Sequence, residues 1–292
     1  MAESRSNRKY LEGVDFPGKL DVTDDLATAL TAADDVVVAV PSQGFREILE
    51  AIAATGVGFA GLCWATKGFE TATGLLPHQV VAETMSANLP TAVLSGPTFA
   101  AEVARALPSA MTIASATASY AHRLAVAITT DTFRAYLSDD VIGVEVGGAT
   151  KNIYAIGAGL SDGLGFGANT RIALLTRGLA EMTRLGIKLG ARKETFMGLA
   201  GMGDLVLTCT DDQSRNRRFG LALARGVPPN EARDEIGQVV EGYYAARAVH
   251  GVAAREGIDM PIAEQVYRVL YEALAPGDAV AALMTRPIMR EH

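Results

Sequence analysis

Short apolar runs alternate with helical patterns in the first half of the chain. The run at 36–40 (VVVAV) is typical of a strand buried on both faces, and the pattern at 24–33 predicts a helix that begins after Thr23. Strand–helix alternation at this spacing predicts a largely parallel sheet with helices on its faces. The remaining predicted elements are a helix at 45–54 and strands at 59–65, 91–94, 111–114 and 133–137.

The second half, from about residue 141, has a helical period instead. One stripe is followed by Gly190, which suits the residue just after a helix end, and Pro261 suits a first helical position ahead of a second stripe. We therefore predict an α/β half and an all-helical half that meet near residue 140. The two stripes comprise Ile172, Leu175, Leu179, Met182 and Leu185, and Ile262, Val266, Val269 and Leu270.

Composition supports two ordinary globular domains. The 292 residues correspond to about two domains at roughly 150 residues each. Hydrophobic residues make up 49% and charged residues 20%, which does not indicate disorder. The net charge of −7 argues against a nucleic-acid partner, since duplex binders usually carry a basic face.

The same survey bears on compartment and metal binding. The uncharged stretch 51–66 is interrupted by glycines and is too short to span a bilayer, so no membrane insertion is predicted. The first ten residues are polar and show no signal peptide. Cys63 and Cys209 lie far apart, which excludes a disulfide framework and favours a cytoplasmic location. The four histidines are scattered, so no metal site is expected.

Small polar motifs follow three of the predicted strands. They are Pro41-Ser42, the Thr66-Lys67-Gly68 turn, and the Ser95-Gly96-Pro97-Thr98 turn. At the carboxyl end of a strand Lys67 can place its ammonium in the crevice above the sheet, Gly96 allows close approach to the backbone, and Thr98 offers a hydroxyl. One such motif is usually an ordinary loop. Three at successive strand ends favour a binding site.

Two further clusters carry candidate chemistry. GGATKN at 147–152 is predicted to open the first helix of the second half and so places Lys151 on a helix. Lys151 can act there as a general base if burial or a neighbouring cation such as Lys67 lowers its pKa. A solvated lysine is the commoner alternative. In SRNRRFG at 214–220, Arg215 and Asn216 suit a phosphate, and the alternative is a solvated helix start. The glycines at 163–167 have the wrong spacing for a dinucleotide fingerprint.

Long stretches of the chain resemble one enzyme family. They are WATKGFE, SGPTFAAEVA, GGATKNIYAIGAGLSDGLGFGANTR, GLAGMGDLVLTCTDDQSRNRRFG and IGQVVEGY. In this order they are similar to the bacterial NAD(P)-dependent sn-glycerol-3-phosphate dehydrogenases. The resemblance implies a Rossmann-like dinucleotide-binding domain at 1–140 and a helical substrate-binding domain at 141–292. It also implies reversible hydride transfer between NAD or NADP and dihydroxyacetone phosphate, which feeds glycerophospholipid synthesis, and it allows a homo-oligomer.

The resemblance also implies roles for individual residues. Lys151 matches the family's proton donor and acceptor and contacts substrate, and Lys67 matches a position that contacts both substrate and cofactor. A protonated lysine beside a ketone oxygen stabilises the negative charge that reduction builds there. The other matched substrate positions are Gly96, Thr98, Asp204, Ser214, Arg215 and Asn216, and the other matched cofactor positions are Ala100, Arg215, Val239 and Glu241.

The beginning of the chain departs from the family pattern. The family opens with a strand, a GxGxxG turn, a helix and a second strand, and this chain starts after them, so we expect an N-terminally truncated parallel sheet. The residues that choose between NAD and NADP would lie in that segment. We expect the 292-residue chain to bind cofactor weakly.

Three functions remain open on the sequence alone. The first is an active glycerol-3-phosphate dehydrogenase whose gene encodes the absent segment. The second is a non-catalytic phosphate-binding remnant. The third is a dehydrogenase of a hydroxy acid, against which the phosphate-type cluster at 214–216 argues. An in-frame GxGxxG motif in the DNA upstream of Met1 would favour the first, and a nearby stop codon the second.

Overall fold

The computed structural model describes residues 1–287, which form two compact units. The N-terminal unit comprises Met1–Thr66 and His78–Val141. The C-terminal unit comprises Lys67–Pro77 and the chain from Ile142 onward. Lys67 thus belongs to the helical unit, although it directly follows a strand of the sheet.

The N-terminal unit is a five-stranded sheet with the strands in chain order, β1-β2-β3-β4-β5. Phe45 of α2 packs edge-on against Trp64 of β2, with ring centroids 6.1 Å apart. The strands are β1 (Asp35–Val38), β2 (Gly61–Trp64), β3 (Thr91–Ser95), β4 (Ser109–Ala114) and β5 (Phe133–Ser138). The helices are α1 (Leu26–Thr31), α2 (Phe45–Ala54), α3 (Pro77–Thr84), α4 (Ala100–Ala104) and α5 (Ala118–Ile128).

The sheet is largely parallel, as the sequence predicts, but one of its four strand pairings is antiparallel. β1–β2, β2–β3 and β4–β5 pair in parallel, but β3 and β4 are antiparallel, with Leu94 opposite Ile113. A parallel return needs a crossover of a dozen or more residues that carries the chain back along the sheet, usually in a helix. The 13 residues between Ser95 and Ser109 meet that length, but α4 within them has only five residues and does not carry the chain back along the sheet. The chain therefore turns back and β4 runs in the opposite direction.

The expectation that 36–40 forms a strand buried on both faces is also wrong. β1 ends at Val38, and Val37 is 55% exposed. Among the described residues β1 pairs only with β2, so it lies at the edge of the sheet. The preceding helix also starts later than expected, because the Asp25 carboxylate accepts hydrogen bonds from the backbone N–H groups of Ala27 and Thr28 and caps α1 there.

The C-terminal unit is helical, and α6 runs through its core. Nearly every residue of α6 from Gly143 to Ser161 is buried. The GGATKN segment does not open this helix, as the sequence suggested, but begins six residues after its start at Val141. The helices are α6 (Val141–Gly163), α7 (Ala168–Lys188), α8 (Asp204–Thr210), α9 (Arg215–Ala224), α10 (Pro229–Ile236), α11 (Glu241–Glu256), α12 (Pro261–Tyr271) and α13 (Pro276–Met284).

The two predicted helical stripes are present. α7 ends at Lys188 and Gly190 follows with φ of +101°, a conformation that glycine adopts without strain. Pro261 is the first residue of α12, whose apolar stripe is buried. Ile172 differs from the rest of its stripe, since it is 59% exposed. No helix within residues 1–287 combines the length and apolarity that crossing a membrane requires.

Candidate active site

Two lysines share one buried carboxylate in the C-terminal unit. Lys67 Nζ lies 2.6 Å from Asp204 Oδ2, and Lys151 Nζ donates to Asp204 Oδ1. Lys151 also donates to Thr208 Oγ1, 3.0 Å away. Asp204 is 1% exposed and Lys151 8%. The expectation that Lys67 and Lys151 lie close together is therefore met through their common partner.

Asp204 and Thr208 occupy one face of α8. Asp204 is its first residue and Thr208 lies one turn later, where its hydroxyl donates to the Asp204 carbonyl oxygen at 2.6 Å. That hydroxyl hydrogen is thus committed, and the oxygen is left to accept from Lys151. A short π-helical turn, Leu199–Gly203, leads into α8 and packs against Gly147 of α6. A Cβ at position 147 would come within 2.4 Å of the Ala200 carbonyl oxygen. Glycine at 147 therefore permits α6 to approach α8 closely enough for the cluster to form.

The electrostatics of the cluster suit proton transfer. The pKa of Lys151 is lowered to about 8, chiefly by burial; the charge of Lys67 contributes to the lowering and Asp204 opposes it. Burial would raise the pKa of Asp204, but the two ammonium groups outweigh it and hold that pKa below its usual value. The cluster thus contains a carboxylate that stays ionised and a lysine that titrates near neutral pH.

The 214–216 cluster forms the start of α9. Ser214 is the N-cap, and its Oγ accepts from the backbone N–H of Arg217. Asn216 is buried and donates to Asn152 Oδ1 at 2.9 Å, while its own Oδ1 accepts from the Gly242 backbone N–H at 2.8 Å. Asn152 directly follows Lys151 in α6. This pair of amides therefore connects the start of α9 with the helix that carries the buried lysine.

The predicted cofactor positions 239 and 241 lie at the start of α11, beside α9. Arg215 Nη1 contacts Gln238 Oε1 at 3.4 Å, and Val239, the next residue, is 38% exposed. Glu241 is the first residue of α11. The structure thus brings the clusters at 151, 214–216 and 238–242 together in one unit.

The remaining predicted site residues belong to the N-terminal unit. Gly96 follows β3 with φ of +147°, and a Cβ there would come within 3.0 Å of Met111 Cα in β4. Glycine at 96 is therefore required by the approach of two strands, whatever it binds. Thr98 Oγ1 donates to the Gly96 carbonyl oxygen at 3.3 Å, and Ala100 is the first residue of α4.

Sequence reasoning assigned no role to Thr208 or Asn152, which both contact predicted site residues. For Thr208, the available signal was its i, i+4 spacing from Asp204 on a helix. Asn152 offered none, because its partner lies 64 positions away. Within residues 1–287 no group of three His, Cys, Asp or Glu side chains could hold a metal ion.

Family models cover most of the chain. The model of the NAD-dependent glycerol-3-phosphate dehydrogenase N-terminus matches residues 1–121, and that of the C-terminus matches residues 140–281. The glycerol-3-phosphate dehydrogenase [NAD(P)+] of Methylococcus capsulatus is 54% identical over 287 residues, which are 98% of this chain and 86% of that protein. That of Nitrosococcus oceani is 54% identical over 292 residues, 100% of this chain and 85% of its own length.

A solved structure agrees with this assignment. The crystal structure of glycerol-3-phosphate dehydrogenase from Coxiella burnetii superposes with a TM-score of 0.95 at 45% identity, and the match covers 98% of this chain and 87% of that one. The fold of this chain, a Rossmann-like sheet domain followed by a helical domain, is therefore that of the enzyme family. On sequence, on family models and on structure, the chain belongs to the NAD-dependent glycerol-3-phosphate dehydrogenases.

Proposed function

We propose that this protein interconverts sn-glycerol 3-phosphate and dihydroxyacetone phosphate with NAD(H) or NADP(H), and so supplies glycerophospholipid synthesis. The observation that carries the proposal is the buried arrangement of Lys67, Asp204 and Lys151. The names of the relatives specify the substrate and the cofactor class for those proteins. The buried lysine gives this chain a group that can perform the proton step of the same reaction.

Lys151 donates and accepts the proton. Reduction of a ketone places negative charge on its oxygen, and the Lys151 ammonium can stabilise that charge and then protonate it. A pKa of about 8 leaves both protonation states accessible near neutral pH, as a reversible reaction requires. Asp204 and Thr208 hold the Lys151 ammonium from two sides, which fixes its direction.

The start of α9 binds the substrate phosphate. The N-terminus of a helix attracts anions through its free N–H groups and its dipole. Arg215 adds a guanidinium that matches two phosphate oxygens at once. The Asn216 amide has one N–H committed to Asn152 and a second that can reach a phosphate. The Ser214 oxygen accepts from Arg217, and its hydroxyl hydrogen can be donated to the same group.

The N-terminal unit suits a nicotinamide dinucleotide. β1, β2 and β3 run parallel and end at one edge, where sheets of this class bind nucleotides. The Ser95 hydroxyl lies at the end of β3, buried and without a hydrogen-bond partner among the described residues. When bound, the cofactor would supply or accept a hydride, which accounts for the two electrons and the carbon-bound hydrogen of the reaction, and Lys151 would donate or accept the separate proton. We assign the cofactor to residues 1–140, with Ala100 among its contacts. Within residues 141–292, we assign contacts with the cofactor to Arg215, Val239 and Glu241. We assign to Lys67 contacts with both the cofactor and the substrate.

The proposal also covers Gly96 and Thr98 as substrate contacts and a cytoplasmic location. Both cysteines are free and buried, which is compatible with a reducing compartment.

Replacing Lys151 tests the proton step. We expect Lys151→Ala to lower kcat by about 10²–10⁴ while calorimetric binding of glycerol 3-phosphate is largely retained. In the unaltered chain, reduction should slow as pH rises through about 8, because it needs the ammonium, and oxidation should speed up there. The assay follows NADH and NADPH absorbance in both directions. Near-full kcat in a folded Lys151→Ala variant would refute the assignment, and substrate binding without any turnover in the unaltered chain would favour the non-catalytic alternative.

Replacing Arg215 tests the phosphate site. We expect Arg215→Ala to raise KM for dihydroxyacetone phosphate strongly and Arg215→Lys to restore it only in part, because lysine keeps the charge and loses the two-pronged geometry. Lys188→Gln, which removes an exposed charge from the end of α7, is the control and should leave KM unchanged. Equal KM values for the arginine and lysine forms would contradict a bidentate contact.

A further inference from the structure

A cavity lies within the C-terminal unit, between α6, α7, α12 and α13. Its volume is about 760 Å³, within the usual range for small-molecule sites. The walls are mainly apolar, with Leu174, Val266 and Val269 among them. None of the residues proposed above for proton transfer or phosphate binding is part of its lining.

Two polar atoms in the cavity wall lack hydrogen-bond partners. Ser161 Oγ and Gln265 Oε1 are buried, and neither bonds to any described residue. Ser161 is 3% exposed and lines the cavity. A buried polar atom without a partner is costly, and such atoms usually indicate an additional bound group. Here one atom can donate or accept and the other only accepts.

Of the three arginines that line the wall, one has neither an ion pair nor a hydrogen bond among the described residues. Arg184 donates to the Asp259 carbonyl oxygen at 2.9 Å, and Arg286 pairs with the Asp259 carboxylate at 2.6 Å. Glu181 accepts the backbone N–H groups of α12. Arg177 also lines the cavity, half-buried, and no described residue forms an ion pair or hydrogen bond with it. An anion therefore complements the charge of Arg177.

We propose that this cavity binds an amphipathic anion, a molecule with an aliphatic body and a carboxylate-type head. The body fills the apolar space, the head pairs with Arg177, and a polar atom near the head bonds to Ser161. A neutral molecule would leave the guanidinium beside the apolar wall unpaired, and a cation would be repelled by it. Charge complementarity therefore selects among occupants of equal size.

Three ligands with the same eight-carbon tail test the proposal. The full chain is titrated by calorimetry with octanoate, octanol and octyltrimethylammonium, each below its solubility or micelle limit. We expect one saturable octanoate site per chain, octanol binding about tenfold weaker, and no measurable binding of the cation. Equal affinities for octanoate and octanol would overturn the anionic head group.

Matched variants locate the site. Arg177→Gln should weaken octanoate about tenfold and leave octanol unchanged, whereas Lys188→Gln, outside the cavity on the same helix, should change neither. Ala173→Phe at the rim should block all ligands, whereas Thr176→Phe, exposed and outside the lining, should not. Near-ultraviolet circular dichroism confirms that each variant is folded.

Three results would overturn the proposal. The first is the absence of saturable octanoate binding. The second is octanoate binding that survives both Arg177→Gln and Ala173→Phe in folded protein. The third is a dimer in analytical ultracentrifugation that Ala173→Phe dissociates, which would mean that a second copy of the chain covers this face.

Discussion

Asp204 and Glu181 are both carboxylates buried to 1% exposure in the C-terminal unit, yet their pKa values shift in opposite directions. Asp204 lies between two ammonium groups, which hold its pKa below the usual value despite burial. Burial raises the pKa of Glu181 to about 7, and the backbone N–H groups of Ile262 and Ala263 offset the rise only in part. Cations at contact distance outweigh desolvation, whereas helix N–H groups do not.

The two carboxylates accordingly serve different purposes. Asp204 stays ionised and balances Lys67 and Lys151, which keeps a titratable ammonium inside the protein. Glu181, on α7, accepts hydrogen bonds from the first turn of α12 and so caps a helix from a neighbouring element. One position supports chemistry and the other supports packing, and the distinction depends on which groups lie opposite the carboxylate.

Removing the charge of Asp204 should produce the largest effect. Asp204→Asn leaves the buried Lys151 ammonium without its counter-ion, so we expect about 3–5 kcal/mol of destabilisation at pH 7 and a loss of turnover. Urea unfolding measures the first quantity and NADH absorbance the second. Glu235→Gln, which breaks an exposed pair with Arg225, is the control and should cost under about 1 kcal/mol. Equal destabilisation by the two variants would contradict the stabilising role of the buried cluster.

The pH dependence of stability should separate the two carboxylates. The folded chain keeps the Glu181 proton up to about pH 7, whereas an unfolded carboxyl releases it near 4.5, so Glu181 makes the chain less stable as pH rises between those values. Glu181→Gln should remove this decline, which is at most about 1.4 kcal/mol per pH unit. Asp204, with its lowered pKa, stabilises the chain above the unfolded value of 3.8 and loses this effect as pH falls below it.

Urea unfolding at half-unit steps from about pH 2 to 8 measures both slopes. Tyr154→Phe is a milder companion to Glu181→Gln, because it removes only the 3.4 Å contact between the Tyr154 hydroxyl and Glu181. A difference between the Glu181→Gln variant and the natural chain that does not change between pH 4.5 and 7 would refute the raised pKa.

Replacing Thr208 should change activity less than the substitutions above. Thr208→Val keeps the shape and removes the oxygen that accepts from Lys151, so we expect kcat to fall about tenfold and the pH midpoint of reduction to move down. Thr208→Ser should restore both. Thr210→Val, which removes an exposed hydroxyl bonded to Val206 in the same helix, is the matched control. An unchanged pH midpoint in Thr208→Val would mean that the hydroxyl does not act on the lysine.

Local patterns predicted much of the fold. α2 has the predicted bounds, and α12 begins at Pro261, because an amphipathic stripe and its end signals act over a few residues. The exposure of β1 was predicted wrongly, and the antiparallel direction of β4 was not predicted. Strand direction depends on the connection, and exposure depends on which strand lies alongside, so neither is contained in the apolar run itself.

The amino-acid sequence by itself determined which chemistry the chain can carry. It supplied a lysine within a run of small residues at 147–152, an arginine and asparagine after a serine cap at 214–216, and long stretches shared with one dehydrogenase family. It also determined that residues 141–287 are helical, because the 3.6-residue period is a local property of the chain.

Only the tertiary structure decided what Lys151 can do. Its carboxylate partner lies 53 positions away, and the second lysine on that carboxylate lies 137 positions from it. Desolvation and Coulomb energy depend on burial and on distances in space, and both arise only when α6 packs against α8 and the segment after β2. The same residues on a solvated helix would keep an ordinary lysine pKa and could not exchange a proton readily near neutral pH.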